Sequence, residues 1–235
     1  MSILPNNIHS SWNKFLTPNI MKEISEIENK IGNNYFPNNN EVLRFLNLDL
    51  KNIKCIIVGM EPYPTDFNEN ESIFPIATGR SFEVRNLRNK TWSEKFKQSS
   101  LRNILKTIYY NETGLIKDLD TIRKEIENGY FKIKQPGEWY DKLEENGVLF
   151  LNATLTVEKY KVDSHTKIWE TFMIELIKYI EKEQNPKWLL WGNKAQERII
   201  PILKTDNIIC TVHPRIASFV NENCFKYIKE INWLG

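Results

Sequence analysis

The chain has 235 residues, a mass of 27.9 kDa and a formal charge of +2, with 41% apolar and 26% charged residues. That is enough apolar chain for one sizeable core, while apolar runs of at most about six residues exclude a transmembrane helix. The near-neutral charge makes any nucleic-acid surface local rather than global. The amino end lacks the basic start and apolar stretch of a signal peptide, so a cytoplasmic protein is expected. Cys55, Cys210 and Cys224 lack metal-ligand spacing and are expected as small buried hydrophobes, with no metal and no cofactor.

Residues 1–17 read as a lead-in segment anchored by Trp12, Phe15 and Leu16. Pro18 suits a first helical position, and Ile20, Ile24, Ile27 and Ile31 recur on one face, which predicts a helix to about residue 30. An Asn-rich loop at 33–40 and a short helix near 41–46 lead into residues 53–64. There Cys55 to Val58 is an unbroken apolar run that fits a strand buried on both faces of a parallel sheet. Gly59 ends it, and Pro62 and Pro64 forbid an immediate helix. Glu61 and Tyr63 are thereby held on a stiff turn at the strand's carboxyl end, where open α/β sheets place their ligands.

Residues 65–79 lack periodicity and are expected as a long loop, with 80–84 a short extended piece. Ser99 or Ser100 is expected to cap a helix to about residue 111. Further helices are expected over 117–127, 138–145, 166–182, 193–203 and 225–231, alternating with strands at 147–152, 188–191 and 208–212. This alternation predicts a three-layer α/β/α fold with a central four-stranded, mainly parallel sheet. Parallel strands then bring Glu61 and Tyr63, Asn152 and His213 to one edge. No linker or repeat marks a boundary, so residues 1–235 are read as one domain whose N-terminal helical segment covers about 10–50.

Several motifs carry a resemblance. Gly59-Met-Glu-Pro-Tyr-Pro64 is similar to the Gly-Gln-Asp-Pro-Tyr-His water-activating loop of the uracil-DNA glycosylases. Ser81-Phe-Glu-Val84 resembles their Phe-Ser-Val segment, and Gly147-Val-Leu-Phe-Leu-Asn-Ala-Thr-Leu-Thr-Val157 their Gly-Val-Leu-Leu-Leu-Asn-Thr-Val-Leu-Thr-Val. Asp163-Ser-His165 with Trp169-Glu170, Leu189-Leu-Trp-Gly-Asn-Lys-Ala-Gln196 and His213-Pro214 follow in the family's order.

The resemblance implies a monofunctional glycosylase that acts on single- or double-stranded DNA as a monomer, away from membranes, leaving an abasic site. It implies that Phe82 stacks on a flipped base, Asn152 reads its edge, and Tyr63 fills the space beside carbon 5, with Met60 also at the base. Glu61, in the place of the family's Asp, would orient water and stabilise the sugar cation. His213 would donate to the base's 2-oxygen. Pro64, Ser100, Ser164, His165, Gly192, Asn193, Arg215, Ile216, Ala217 and Ser218 fall at DNA-contacting positions.

The departures bear on specificity. Met60, Glu61 and Pro64 replace Gln, Asp and His, and the Leu wedge of the family falls at Ala217. Added segments are expected within about 65–79 and 114–133, the first beside the base pocket. These changes fit excision of uracil or of a modified cytosine in phage DNA, the latter an antiviral defence. The alternative is a DNA-binding or processivity module with weak or lost chemistry. An unrelated α/β hydrolase is disfavoured by the lack of a nucleophile elbow.

Overall fold

The computed structural model describes residues 2–235. In chain order its elements are α1 (Pro18–Ile31), β1 (Tyr35–Phe36), α2 (Asn39–Val42), β2 (Cys55–Gly59), β3 (Asp66–Glu69), β4 (Ser72–Pro75), α3 (Ser99–Thr113), α4 (Leu119–Glu127), α5 (Pro136–Glu145), β5 (Val148–Asn152), β6 (Val157–Glu158), α6 (Thr166–Glu183), β7 (Lys187–Trp191), α7 (Asn193–Ile199), β8 (Ile208–Thr211) and α8 (Phe219–Glu222). The central sheet has the order β5-β2-β7-β8, and all three pairings are parallel.

The sheet separates two cores because successive side chains in a strand point to opposite faces. Ile56, Val58, Leu149, Leu151, Trp188 and Leu190 face the layer built from α1 and α6. Cys55, Ile57, Val148, Phe150, Leu189 and Trp191 face the layer built from α3, α4 and α5. Burial on both faces is why these strands read as unbroken apolar runs. The helix α1 forms as its spacing predicts, with the Thr17 hydroxyl accepting from the Ile20 N–H at 3.3 Å and all four isoleucines buried.

Several elements differ from expectation. Residues 65–79 are not a plain loop: β3 and β4 pair antiparallel, with Phe67 opposite Phe74. Their turn uses Asn70 and Glu71, whose φ angles of 48° and 64° are those a two-residue mirror-image turn requires. The hairpin faces solvent and mixes acidic and apolar side chains, with Ile73 70% exposed. Residues 80–84 form no strand, since Phe82 adopts φ 63°. Gln98, not Ser99 or Ser100, stands at the position before α3, and its side chain makes no capping hydrogen bond. The helix expected over 193–203 stops at Ile199, ahead of Pro201, which cannot continue it. At 225–231 only a 3₁₀ turn over Cys224–Tyr227 forms, and the buried Phe225, Ile228 and Ile231 are spaced by its three-residue period. Cys210 is exposed on the edge strand β8, unlike buried Cys55 and Cys224. The short pair β1–β6 was not expected.

Both segments expected as additions take on structure, the first as the β3–β4 hairpin and the second as α4, which Asp118 caps. Ile122 of α4 is buried, and the Tyr109 hydroxyl of α3 donates to Glu125 at 2.7 Å. Among the described residues no helix is long and apolar enough to cross a membrane.

Glu71 occupies a left-handed conformation that glycine adopts without a side-chain clash. Glu71→Gly, giving an Asn-Gly turn, should raise unfolding free energy by about 0.5–1 kcal/mol in a urea titration. A fall in stability would show that the Glu71 side chain contributes more than its backbone strain costs.

Candidate active site

The carboxyl ends of β2, β5, β7 and β8 lie on one edge, and the sequence places polar groups there. Gly59 is in register with Asn152 across β2 and β5. A Cβ at position 59 would stand 2.7 Å from Asn152 Oδ1, 2.8 Å from Ser81 Cβ and 3.5 Å from Phe82 Cε2. Only glycine permits this approach, so the turn after β2, the amide and the Phe82 loop are packed together. Asn152 is 3% exposed, and among the described residues no protein group hydrogen-bonds its amide. The amide is not among the fully buried unpartnered polar groups, so its polar atoms still reach solvent and are open to a ligand carrying a matching donor and acceptor.

Phe82 lies beside this amide, with its ring centroid 5.0 Å from Trp191 and 5.8 Å from His213. Trp191 at the end of β7 is in turn wedged edge-on against Phe219 and Phe225. His213 follows β8 and rests on Gly192, whose φ of 99° and missing side chain admit the His213 Cβ. The Arg215 N–H donates to His213 Nδ1 at 3.1 Å. That bond makes Nδ1 the acceptor and leaves the proton of the neutral ring on Nε2. Burial lowers the His213 pKa, and the Arg215 cation lowers it further, so the ring is neutral at pH 7. Asn103 of α3 pins the same loop by donating to the Pro214 carbonyl at 2.6 Å.

Glu61 and Tyr63 leave the same edge. The Asp163 N–H donates to Glu61 Oε2 at 2.9 Å. Burial raises the Glu61 pKa, the Asp163 N–H pulls it back, the Asp163 carboxylate adds to the rise, and Arg198 and Lys194 oppose it. Asp163 itself has φ 58° and is held by Lys194 at 3.0 Å and Arg198 at 3.3 Å. Arg198 also donates to Thr154 and Thr166, each at 3.0 Å, which ties α7 to the segment after β5. Tyr63 packs against both the core containing Phe82 and a small cluster of Phe36, Ala77 and Val157. Burial pushes its phenol up to about 12.

A cleft of about 440 Å³ beside these groups is lined by residues that include Met60, Trp191, Gly192, Asn193, His213 and Ile216, whereas Asn152, Phe82, Glu61 and Tyr63 do not line it. The expected DNA contacts divide by exposure. Asn193, Arg215, Ile216, Ala217 and Ser218 are exposed at the rim, and Pro64 is half-buried with its carbonyl accepting from the Tyr160 N–H. Ser164 accepts from the Glu158 N–H at 2.8 Å. Ser100 is buried in the first turn of α3, and His165 is buried with Nδ1 2.9 Å from the Thr156 hydroxyl. Trp191 and Asp163 fell within the matched motifs without a role of their own, and Arg198 and Asn103 were not singled out from sequence. A tryptophan ending an apolar strand reads as core, and the others act through loops whose meeting no local pattern encodes.

No family model matches the chain. A uracil-DNA glycosylase of Helicobacter pylori is 30% identical over 235 residues, covering 93% of this chain and 89% of the relative. Uracil-DNA glycosylase 1 of Bacteroides fragilis is 27% identical over 96% of this chain and 98% of its own length. Among solved structures, UNG from Nitratifractor salsuginis superposes with a TM-score of 0.73 at 23% identity, covering 94% of this chain and 90% of that one. Mimivirus uracil-DNA glycosylase gives 0.61 at 21% identity, over 90% and 70%. The alignment with the Helicobacter relative spans nearly all of both chains, and this chain belongs to the uracil-DNA glycosylase family.

Proposed function

We propose that the protein is a monofunctional DNA glycosylase that flips uracil out of DNA and hydrolyses its N-glycosidic bond, leaving an abasic site. The observation that carries this reading is the Asn152 amide, free of protein partners among the described residues and packed with the Phe82 ring around Gly59. An amide offers one acceptor and two donors, which match the polar edge of a pyrimidine. A base reaches it only after leaving the stack.

In this reading Phe82 stacks on the base while Asn152 binds its edge. The C1′–N1 bond breaks with its electron pair passing to the base, and the neutral His213 donates from Nε2–H to the 2-oxygen as negative charge grows. Glu61 stabilises the sugar cation and orients the water that adds to C1′ and releases a proton. Tyr63 favours plain uracil: a phenol packed from two sides resists retreat before a carbon-5 substituent. The exposed Arg215 and Lys194 at the rim suit phosphate contacts without sequence reading.

Glu61→Gln keeps the shape and removes the charge. Under enzyme excess it should slow abasic-site formation roughly a hundredfold, about 3 kcal/mol for one electrostatic contact, while DNA affinity changes little. Because burial raises the Glu61 pKa, the acid limb of the wild-type rate should lie above the ordinary glutamate value. Wild type should release uracil and leave 5-modified cytosine in phage DNA untouched. Release of the modified base alone would transfer the reading to antiviral defence. No release of either would leave a DNA-binding module.

The His213 assignment has its own test. Nitrogen NMR at pH 7 should show a neutral ring protonated at Nε2, titrating below the usual 6.5. Folding lowers this pKa, so the unfolded chain binds the proton more readily. The His213 contribution to stability is therefore complete above about pH 6.5 and is lost as pH falls through that value towards the folded pKa. A ring protonated at Nδ1 would remove the proposed donor.

A further inference from the structure

Phe82 is held in the left-handed backbone region, with φ 63°, a conformation that a residue bearing a side chain rarely adopts. Its neighbours explain how it stays there. Ser81 Oγ donates to the Ile57 carbonyl at 2.9 Å, fastening the loop to β2. Arg80 and Glu83, on either side of the ring-bearing residue, form an ion pair at 3.2 Å with side chains 3% and 1% exposed. Glu83 also accepts from the Thr78 hydroxyl at 2.6 Å and from Arg88. Arg80 reaches across to α5, pairing with Glu144 and with Asp141 at 2.8 Å.

A buried ion pair adds little net stability compared with apolar residues of the same volume, but it fixes geometry through several directional bonds at once. Here those bonds bracket Ser81 and Phe82, the second carrying the ring proposed to stack on the base. The planar guanidinium forks between the loop and α5, which a point charge cannot do.

We infer that Arg80 and Glu83 form a clasp that fixes the Phe82 ring, so that Arg80 is a positioning residue for base excision. The inference rests on the proposed stacking role of Phe82. Arg80 touches no substrate; it acts only through the ring.

Arg80→Met can be tested because each carboxylate it leaves retains another partner. Glu83 keeps Arg88 and Thr78, Glu144 keeps Arg44 at 3.5 Å, and Asp141 keeps Arg88 at 2.9 Å. The variant should melt within about 4 °C of wild type. Its single-turnover rate on uracil-containing DNA should fall roughly ten- to a hundredfold, the scale of a misplacement of about 1 Å. Arg80→Lys, which cannot fork, should fall in between.

The deciding measurement is a double-mutant cycle with Phe82→Ala. If Arg80 acts through the ring, adding Arg80→Met to Phe82→Ala should change the rate less than about twofold. Independent, multiplying effects would overturn the clasp, as would an Arg80→Met enzyme as fast as wild type. Should Arg80→Met not fold, the same cycle run with Arg80→Lys decides by the same criterion. A Phe82→Ala enzyme as fast as wild type would sink the stacking role itself, and the clasp with it, by a result distinct from the other two.

Discussion

A methyl group on residue 59 would lie within 3 Å of both the Asn152 amide oxygen and the Ser81 side chain. Its absence lets β2 end directly beneath the Phe82 loop and beside the end of β5. Because the strands are parallel and in register, β7 and β8 deliver Trp191 and His213 to the same edge. The pocket therefore depends on one close approach between main chain and side chains, made by a strand buried on both faces. A larger residue there would separate the amide from the aromatic ring and leave two half-sites.

Main-chain donors orient the remaining polar groups. His213 is fixed by the Arg215 N–H and Glu61 by the Asp163 N–H, while the Asn103 side chain grips the carbonyl of Pro214. Such bonds hold loop residues to the rigid sheet and fix which atoms stay free. For His213 the free atom is Nε2. For Glu61 one carboxylate oxygen is occupied and the other remains for water. The longer glutamate, at a position where the family carries Asp, is accommodated by reaching sideways to the loop after β6. The Glu61 carboxylate is thereby coupled to Lys194 and Arg198 through Asp163.

What was legible in the sequence follows from burial. The strands β2, β5 and β7 are shielded on both faces and so read as apolar runs, and α1 carries its four isoleucines at helical spacing. Glu61, Asn152 and His213 stood out as polar residues where such runs end, and the family resemblance gave them expected roles. The β3–β4 hairpin escaped because its pairing rests on an exposed Phe67–Phe74 contact and a turn without glycine. Trp191 was hidden by its type. The left-handed Phe82 was invisible for a deeper reason: the loop that carries it is braced through Arg80 by ion pairs to α5, far along the chain, which no local pattern announces.

These features share an energetic character. A strained backbone at Phe82 and charges buried between Arg80, Glu83 and Glu144 each oppose folding or add little to it. They brace one edge of a sheet whose two cores bury nearly every large apolar side chain it presents. The cores stabilise the scaffold enough for that edge to stay preorganised, so that in the proposed reaction the His213 donor and the Phe82 ring would be fixed before any base arrives. A site arranged in this way loses little reorganisation energy when charge develops, which is where electrostatic catalysis gains its effect. The same reasoning explains why the clasp uses ions rather than apolar packing. Hydrophobic contact would stabilise the loop equally well, but it would not select one orientation of the ring.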